Sequence, residues 1–366
     1  MKLICQTNEF KNAIINAQRA VAIRSTMPIL DGLLIEADQE IVMTGYDMEM
    51  GITCRIPAEI IKPGRIVMTA KMLADIARKL PDETVSIEVD DQETVTIVSG
   101  KSEFQIKGRS ADTYPVMPEV ARDHELTMSQ AVLKNMIRQT IFAVSTDEQR
   151  RNLNGALLTS EGNTCEMVAC DAFRLALRRE VSAVELPNLQ FIIHGKALRE
   201  LMGILLDETA AVTMYTTMNH IKFNFGNVTM VSRLIQGEFM PYKSLIPDTG
   251  QTKVTVNTRK LQRAVERAML LIESENLRYP VNFKTVNDRS LVVHETTNVG
   301  VLHEDIDIEM TGAPIDIDFN PTYFNDALKV IEDESIVISF NGQVGPCVMM
   351  PAEGDRFAYL VLPLRR

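Results

Sequence analysis

Met1-Lys2-Leu3-Ile4-Cys5-Gln6-Thr7-Asn8-Glu9-Phe10-Lys11-Asn12-Ala13-Ile14-Ile15 decides the fold, because the chain writes nearly the same thing three times. It returns as His124-Glu125-Leu126-Thr127-Met128-Ser129-Gln130-Ala131-Val132-Leu133-Lys134-Asn135-Met136-Ile137. It returns again as Thr252-Lys253-Val254-Thr255-Val256-Asn257-Thr258-Arg259-Lys260-Leu261-Gln262-Arg263-Ala264-Val265. Each copy reads as a short alternating strand, a Ser/Asn/Thr start signal and an apolar-periodic helix. Three units of about 120 residues predict a quasi-symmetric body, an architecture that serves assembly more often than chemistry.

Each unit also repeats within itself. Lys71-Met72-Leu73-Ala74-Asp75-Ile76-Ala77-Arg78-Lys79 reads as a second helix. Its counterparts are Lys196-Ala197-Leu198-Arg199-Glu200-Leu201-Met202 and Thr322-Tyr323-Phe324-Asn325-Asp326-Ala327-Leu328. The apolar anchors Phe10, Leu73, Leu133, Leu198, Leu261 and Phe324 stand 63, 60, 65, 63 and 63 residues apart, too regular for chance similarity of amphipathic helices. Between helices the text alternates, as in Val85-Ser86-Ile87-Glu88-Val89, Val95-Thr96-Ile97 and Phe104-Gln105-Ile106, which predicts antiparallel meanders. The expected fold is α+β, three similar domains each made of two β-α-β-β-β half-units. Proline-bearing stretches, Tyr114-Pro115-Val116-Met117-Pro118-Glu119-Val120 and Leu245-Ile246-Pro247-Asp248-Thr249-Gly250-Gln251, set the expected domains at 1–120, 121–248 and 249–366.

At 366 residues the chain has room for three such domains. No apolar run approaches membrane-spanning length and no signal peptide precedes the first strand, so a cytoplasmic protein with no membrane partner is expected. Five cysteines (Cys5, Cys54, Cys165, Cys170, Cys347) are odd in number and lack metal-ligand spacing, and so read as reduced thiols.

A net charge of −11 argues against nucleic acid until its distribution is considered. The six expected helices, at 8–21, 70–79, 129–143, 195–206, 257–272 and 321–331, carry fourteen Lys and Arg against five Asp and Glu, while the remaining chain nets −20. Lys and Arg favour solvated helix faces in any protein. Helices in six copies of one half-unit, however, occupy equivalent positions and turn their charges the same way. Such a surface follows a phosphate backbone without reading bases.

No catalytic constellation appears, and no cofactor is implied. The five histidines (His124, His194, His220, His294, His303) are scattered, without the paired spacing of a zinc site. Gly100-Lys101-Ser102 approaches a phosphate loop, but Val95 stands where the first glycine is required. Asp47 and Asp171 recur at equivalent places, in Thr44-Gly45-Tyr46-Asp47 and Val168-Ala169-Cys170-Asp171, and could be proposed as carboxylates of a metal-assisted hydrolase. Their place at a repeat-equivalent strand end favours turn capping, and the third unit offers Glu295-Thr296 there.

Further matches run the length of the chain in order. They are Met27-Pro28-Ile29-Leu30-Asp31-Gly32-Leu33-Leu34, Ile41-Val42-Met43-Thr44-Gly45-Tyr46-Asp47-Met48-Glu49-Met50, Leu153-Asn154-Gly155, Asp171-Ala172-Phe173-Arg174-Leu175-Ala176 and the terminal Tyr359-Leu360-Val361-Leu362-Pro363-Leu364-Arg365. With these residues the sequence resembles the bacterial DNA polymerase III beta subunits, the sliding clamps. The resemblance implies a ring-shaped homodimer around double-stranded DNA, bound without sequence preference, with helices lining the hole and strands outside. Sheets continuous across domains and subunits leave few free edges, and head-to-tail contacts that close give a ring rather than a fibre.

The resemblance further implies that Arg24 contacts DNA, and charge placement adds Lys71, Arg78, Lys134, Arg138, Lys196, Arg199, Arg259 and Arg263. The subunit interface it implies falls on Phe104, Ile106, Leu270 and Leu271. A partner pocket is implied at Leu153, Ala172, Phe173, Arg174, Leu175, Met240, Leu245, Pro346, Leu360, Leu362 and Pro363. It would seat short peptides of the replicative polymerase, the clamp loader, and other polymerases and repair proteins. Phe173 stands where histidine is common, Ala172 where glycine or serine is common, and Met240-Pro241 where Pro-Asp is usual, all making the pocket more apolar. The expected function is a non-enzymatic processivity clamp. The alternatives are a non-replicative repeat scaffold that binds partner peptides, and the hydrolase built on Asp47 and Asp171.

Overall fold

A computed structural model of the chain describes residues 1–22, 25–246, 250–272 and 280–364. Six helices form where the periodicity placed them: α1 Thr7–Ala17, α2 Ala70–Ala77, α3 Gln130–Arg138, α4 Gly195–Ile204, α5 Thr258–Met269 and α6 Pro321–Val330. Each lies between a preceding strand and an antiparallel meander, so the β-α-β-β-β half-unit recurs six times. Among the described residues no helix is long and apolar enough to cross a membrane.

The helices start for a reason that polar start signals alone do not capture. The amide N–H of Thr7, at the head of α1, donates to the Glu83 carbonyl at 2.8 Å, that of Gln130 to Ala210 at 2.8 Å, and that of Thr258 to Glu334 at 2.9 Å. In each repeat the first half's helix therefore satisfies an orphan donor on the segment leading into its sister half's meander. Side-chain capping adds to this at α5, where Asn257 accepts from Lys260 N, and at α6, where Asn320 accepts from Thr322 N ahead of Pro321. α3 stops short of its expected end at 143. The Thr140 hydroxyl donates back to the Met136 carbonyl at 2.8 Å, and the chain passes into a short 3-10 turn at Ile141–Ala143.

By contacts the described residues form two units, Met1–Ala131 with Arg199–Leu234, and Val132–Leu198 with Ile235–Arg366. Neither follows the repeat boundaries, because strands pair across them. In the first unit a five-stranded sheet runs Glu59–Lys62, Lys2–Gln6, Thr84–Val89, Thr94–Ser99, Ser102–Lys107, which leaves the last strand at an edge. A second sheet starts in the first repeat and ends in the second. Its order is Gly64–Thr69, Gly32–Ala37, Ile41–Tyr46, Met50–Ile56, Val228–Ile235, His220–Phe225, Ala211–Thr216, His124–Ser129. α1 buries Phe10, Ala13, Ile14 and Ala17 beneath it, and packs on α2.

The second unit repeats the device between the second and third repeats. Strand Arg174–Val181 pairs with Phe357–Val361, joining the Gly155–Glu161, Thr164–Cys170 and Leu189–His194 meander to Cys347–Pro351, Ser335–Phe340 and Thr252–Asn257. The long strand Val301–Thr311 then pairs with both Thr252–Asn257 and Ser290–Thr296. α5 packs on α6 and buries Leu261, Ala264, Val265 and Ala268, a spacing that fixes one apolar stripe. Phe283, Phe319 and Phe324 fill the core beside it, with ring centroids 4.7–5.7 Å apart.

Two motifs find their places here. Gly100-Lys101-Ser102 is the tight turn of a hairpin, with Gly100 at φ 57°, and not a phosphate loop. All five cysteines are buried and unbridged.

Candidate functional site

The recurring aspartates cap turns. Asp47 Oδ1 accepts from the N–H groups of Glu49 and Met50 at 2.9 and 2.7 Å, and Asp171 Oδ1 accepts from those of Phe173 and Arg174 at 3.0 Å each. Each turn carries a non-glycine residue at positive φ, Met48 at 77° and Ala172 at 78°. The backbone bond closing each turn is also shared, from Asp47 N to Met50 O and from Asp171 N to Arg174 O. In the third repeat the same closure runs from Thr297 N to Gly300 O, with the Thr297 hydroxyl accepting from Val299 N. The equivalent residue is therefore Thr297 and not Glu295-Thr296, a difference of register that the sequence alignment of repeats misplaced. Carboxylates used in this way are poor candidates for a catalytic pair. Among the described residues no group of three His, Cys, Asp or Glu could hold a metal ion.

Beside the second of these turns lies an apolar cluster within the second unit. Leu175 and Leu360 face each other across the joint between strands, and both are buried with Leu153 in one cluster. Met240 packs against that cluster from the loop after Ile235, half-buried. Leu245 and Leu362 are exposed, and Pro346 and Pro363 are half-buried. Leu362 N donates to Phe173 O at 2.9 Å and Leu364 N to Asp318 O at 2.8 Å, so the C-terminal segment is held in place by backbone bonds.

Arg174 organises the turn rather than opening to solvent. Its guanidinium donates to Asp171 Oδ2, Asp326 Oδ2 and the Phe142 carbonyl, at 2.9, 2.6 and 2.6 Å. It also lies over the ring of Tyr323, 4.6 Å from the centroid. Phe173 is 56% exposed and stacks on Tyr323, centroids 6.5 Å apart and planes 20° from parallel. Phe142 and Tyr323 were not among the expected site residues. Their contacts, Phe142 with Arg174 and Tyr323 with Phe173, join segments 32 and 150 residues apart, and nothing local in the sequence signals such pairs.

The expected interface residues lie at open positions. Phe104 and Ile106 are half-buried on the edge strand Ser102–Lys107. Phe104 borders a cavity of about 480 Å³ walled by Met72 and Ile76 of α2. Leu270 follows α5 and is 81% exposed, while Leu271 is half-buried with a methyl group beside Gly300.

Of the expected DNA-contacting residues, Arg24 lies outside the described residues. Lys71, Arg78, Lys196, Arg199, Arg259 and Arg263 are exposed, and Lys134 and Arg138 are half-buried. Arg78, the residue after α2, pairs with Asp75, whereas Arg138 is tied to Glu332 and Asn135.

Family models match nearly the whole length: the N-terminal domain of the DNA polymerase III beta subunit over residues 1–118, its central domain over 127–241 and its C-terminal domain over 243–365. The chain is 35% identical over 379 residues to the beta sliding clamp of Halalkalibacterium halodurans, covering 100% of both, and 33% identical to that of Staphylococcus epidermidis, covering 100% and 99%. Its structure is similar to the DNA polymerase sliding clamp of Bacillus subtilis, with TM-score 0.95 and 34% identity over 100% and 99% of the two chains.

Proposed function

The chain belongs to the DNA polymerase III beta subunit family, the beta sliding clamps, and from that premise we propose a non-enzymatic processivity clamp in which two copies close head to tail around duplex DNA. The observation that carries the closure is a register. Met50 pairs with Ser232 where the first repeat meets the second, and Arg174 pairs with Val361 where the second meets the third. Met50 and Arg174 each stand three residues after a capping aspartate, and Gly300 stands three after Thr297. The hairpin turns at Gly100 and Gly226 make Ile106 the counterpart of Ser232. Carried across to a second copy, the same register sets Gly300 against Ile106, Leu302 against Phe104 and Glu304 against Ser102. The third junction is thus left for the partner to complete.

Each half of that junction has apolar material to bury. Leu270 and Leu271 follow α5 near Gly300, and the cavity beside Phe104 is bordered by Met72 and Ile76. Burying two leucines at each of two equivalent contacts supplies several kcal/mol, at roughly 1.5–3 kcal/mol per fully buried side chain. Light scattering tests this directly. The wild type is expected at twice the chain mass at micromolar concentration, and Leu270→Ala with Leu271→Ala is expected to shift it to monomer with its circular dichroism unchanged. A monomeric wild type, or an unchanged dimer in the double variant, overturns the mapping.

The cleft around Leu175, Leu360 and Met240 is the proposed seat for partner peptides of polymerases and the clamp loader. It has an apolar floor and a rim built by the C-terminal segment, suited to an extended chain that anchors a few apolar side chains. Exposed Lys71, Lys196, Arg199, Arg259 and Arg263 are the proposed phosphate contacts, sequence-blind and weak enough to slide.

A further inference from the structure

A groove of about 730 Å³ lies on the other side of the loop that bounds the cleft. Its walls are the strands Gly155–Glu161 and Leu189–His194 on one side and the loop Phe239–Ser244 on the other. Met240 belongs to both places, packing against the apolar cluster of the cleft and lining the groove. Met240 therefore stands where the wall of the groove meets the apolar cluster.

We propose that this groove binds the uncharged polar residues that flank the apolar anchor of a partner peptide, so that one extended chain occupies cleft and groove together. The inference rests on the peptide-binding reading of the cleft. The floor decides the chemistry. Glu166 is buried, but both its oxygens are used: Oε1 accepts from Arg179 at 2.7 Å and Oε2 accepts from the Tyr242 hydroxyl at 2.6 Å. That internal neutralisation leaves no free charge at the bottom to capture a phosphate or a cation. It also pins the loop through Tyr242, which is itself buried, so the wall is preformed and little ordering entropy is spent on binding. What remains open is neutral and hydrogen-bonding. Asn188 and Gln190 are exposed, Thr159 and Thr164 half-exposed, and the rim charges Glu161 and Lys243 are of opposite sign. Such a lining offers donors and acceptors to a backbone and to Ser, Thr, Asn or Gln side chains.

Calorimetry on the full-length protein tests this with a short synthetic peptide from a replicative polymerase subunit and three kinds of extension. The peptide is lengthened by Ser-Asn-Thr-Gln at its N-terminus, by the same four residues at its C-terminus, or by four glutamates or four lysines at either end. One of the two polar extensions is expected to tighten Kd about tenfold, or 1.4 kcal/mol. Gln190→Trp, which fills the groove from an exposed position, is expected to return the extended peptide to the short peptide's Kd and leave the short peptide unchanged. Asn188→Trp, equally exposed, serves the same purpose if the first variant misfolds. No gain from either polar extension, an equal gain from a charged one, or groove variants that weaken short and extended peptides alike would each overturn the inference. Failure of the short peptide to bind the wild type is a separate result, which removes the cleft reading and the groove with it.

Discussion

Single residues in this chain carry strain and charge that can be measured. Glu295 is only 1% exposed, and neither of its carboxylate oxygens finds a hydrogen-bond partner among the described residues. Burial pushes its carboxyl up to about 7, with the Asp318 carboxylate adding to the rise. A carboxyl whose folded value lies above its unfolded value near 4.5 holds its proton more tightly when folded. The contribution of Glu295 to stability is therefore greatest below 4.5, falls as pH climbs toward 7, and stays low above it. Glu295→Gln should remove this fall, gaining about 1–3 kcal/mol on the wild type at pH 8 relative to its difference at pH 5, given about 1.4 kcal/mol per pKa unit. Urea unfolding at the two pH values measures it, and an equal difference at both would count against the assignment. At Ala172 the strain lies in the backbone. A non-glycine residue at φ 78° costs about 1–2 kcal/mol, part of which glycine returns through its freer unfolded chain. Ala172→Gly should therefore raise stability by about 0.5–1 kcal/mol, and Met48→Gly should do the same at the equivalent turn. A fall in the urea midpoint of both variants would show that the turns are relaxed as they stand.

The elements were the most legible level of the sequence. Six helices and their meanders follow from the periodicity of Phe10, Leu73, Leu133, Leu198, Leu261 and Phe324, because an amphipathic stripe is a local property of the chain. The capping role of Asp47 and Asp171 was legible for the same reason. The joints were not. Arg174 against Val361 and Met50 against Ser232 are strand pairs between segments more than 170 residues apart. The aromatic support that Tyr323 gives Phe173 is equally remote, and composition cannot announce it. The proposed rim belongs to this scale too, since the chain after Val361 is tied back by the Leu362 and Leu364 amides. Removing Leu362 to Arg366 should abolish binding of a polymerase-derived peptide while leaving dimer mass and thermal unfolding nearly unchanged. Phe173→His should shift peptide preference more than stability, because the ring sits over an open edge. Equal peptide affinity before and after truncation, by calorimetry, would refute the cleft.

At the scale of the whole molecule, charge and closure oppose each other in a way that separates a clamp from a surface binder. The chain nets −11, so duplex DNA is repelled at long range, and the proposed phosphate contacts on the helices must work against that repulsion. Unassisted binding should therefore be weak and should fade with salt, as ordinary phosphate contacts do. A closed ring obeys different physics once loaded, because retention depends on the junctions between copies and not on phosphate contacts. On a nicked circular plasmid the protein should stay bound through salt that strips ordinary contacts, and linearising the plasmid should release it from the ends. Lys196→Glu, Arg199→Glu and Arg263→Glu together should impair loading or sliding while the dimer persists, since these exposed charges lie outside the cavity beside Phe104 and apart from Leu270 and Leu271. Leu270→Ala with Leu271→Ala should do the reverse, abolishing retention on circles while leaving the weak, salt-sensitive contact intact. Gel filtration of labelled protein on circular and linear plasmid, at low and high salt, distinguishes these outcomes. Release from the circle that is salt-sensitive and as fast as from the linear form would mean that the basic helices bind DNA on an open surface, and that the repeats build a scaffold and not a ring.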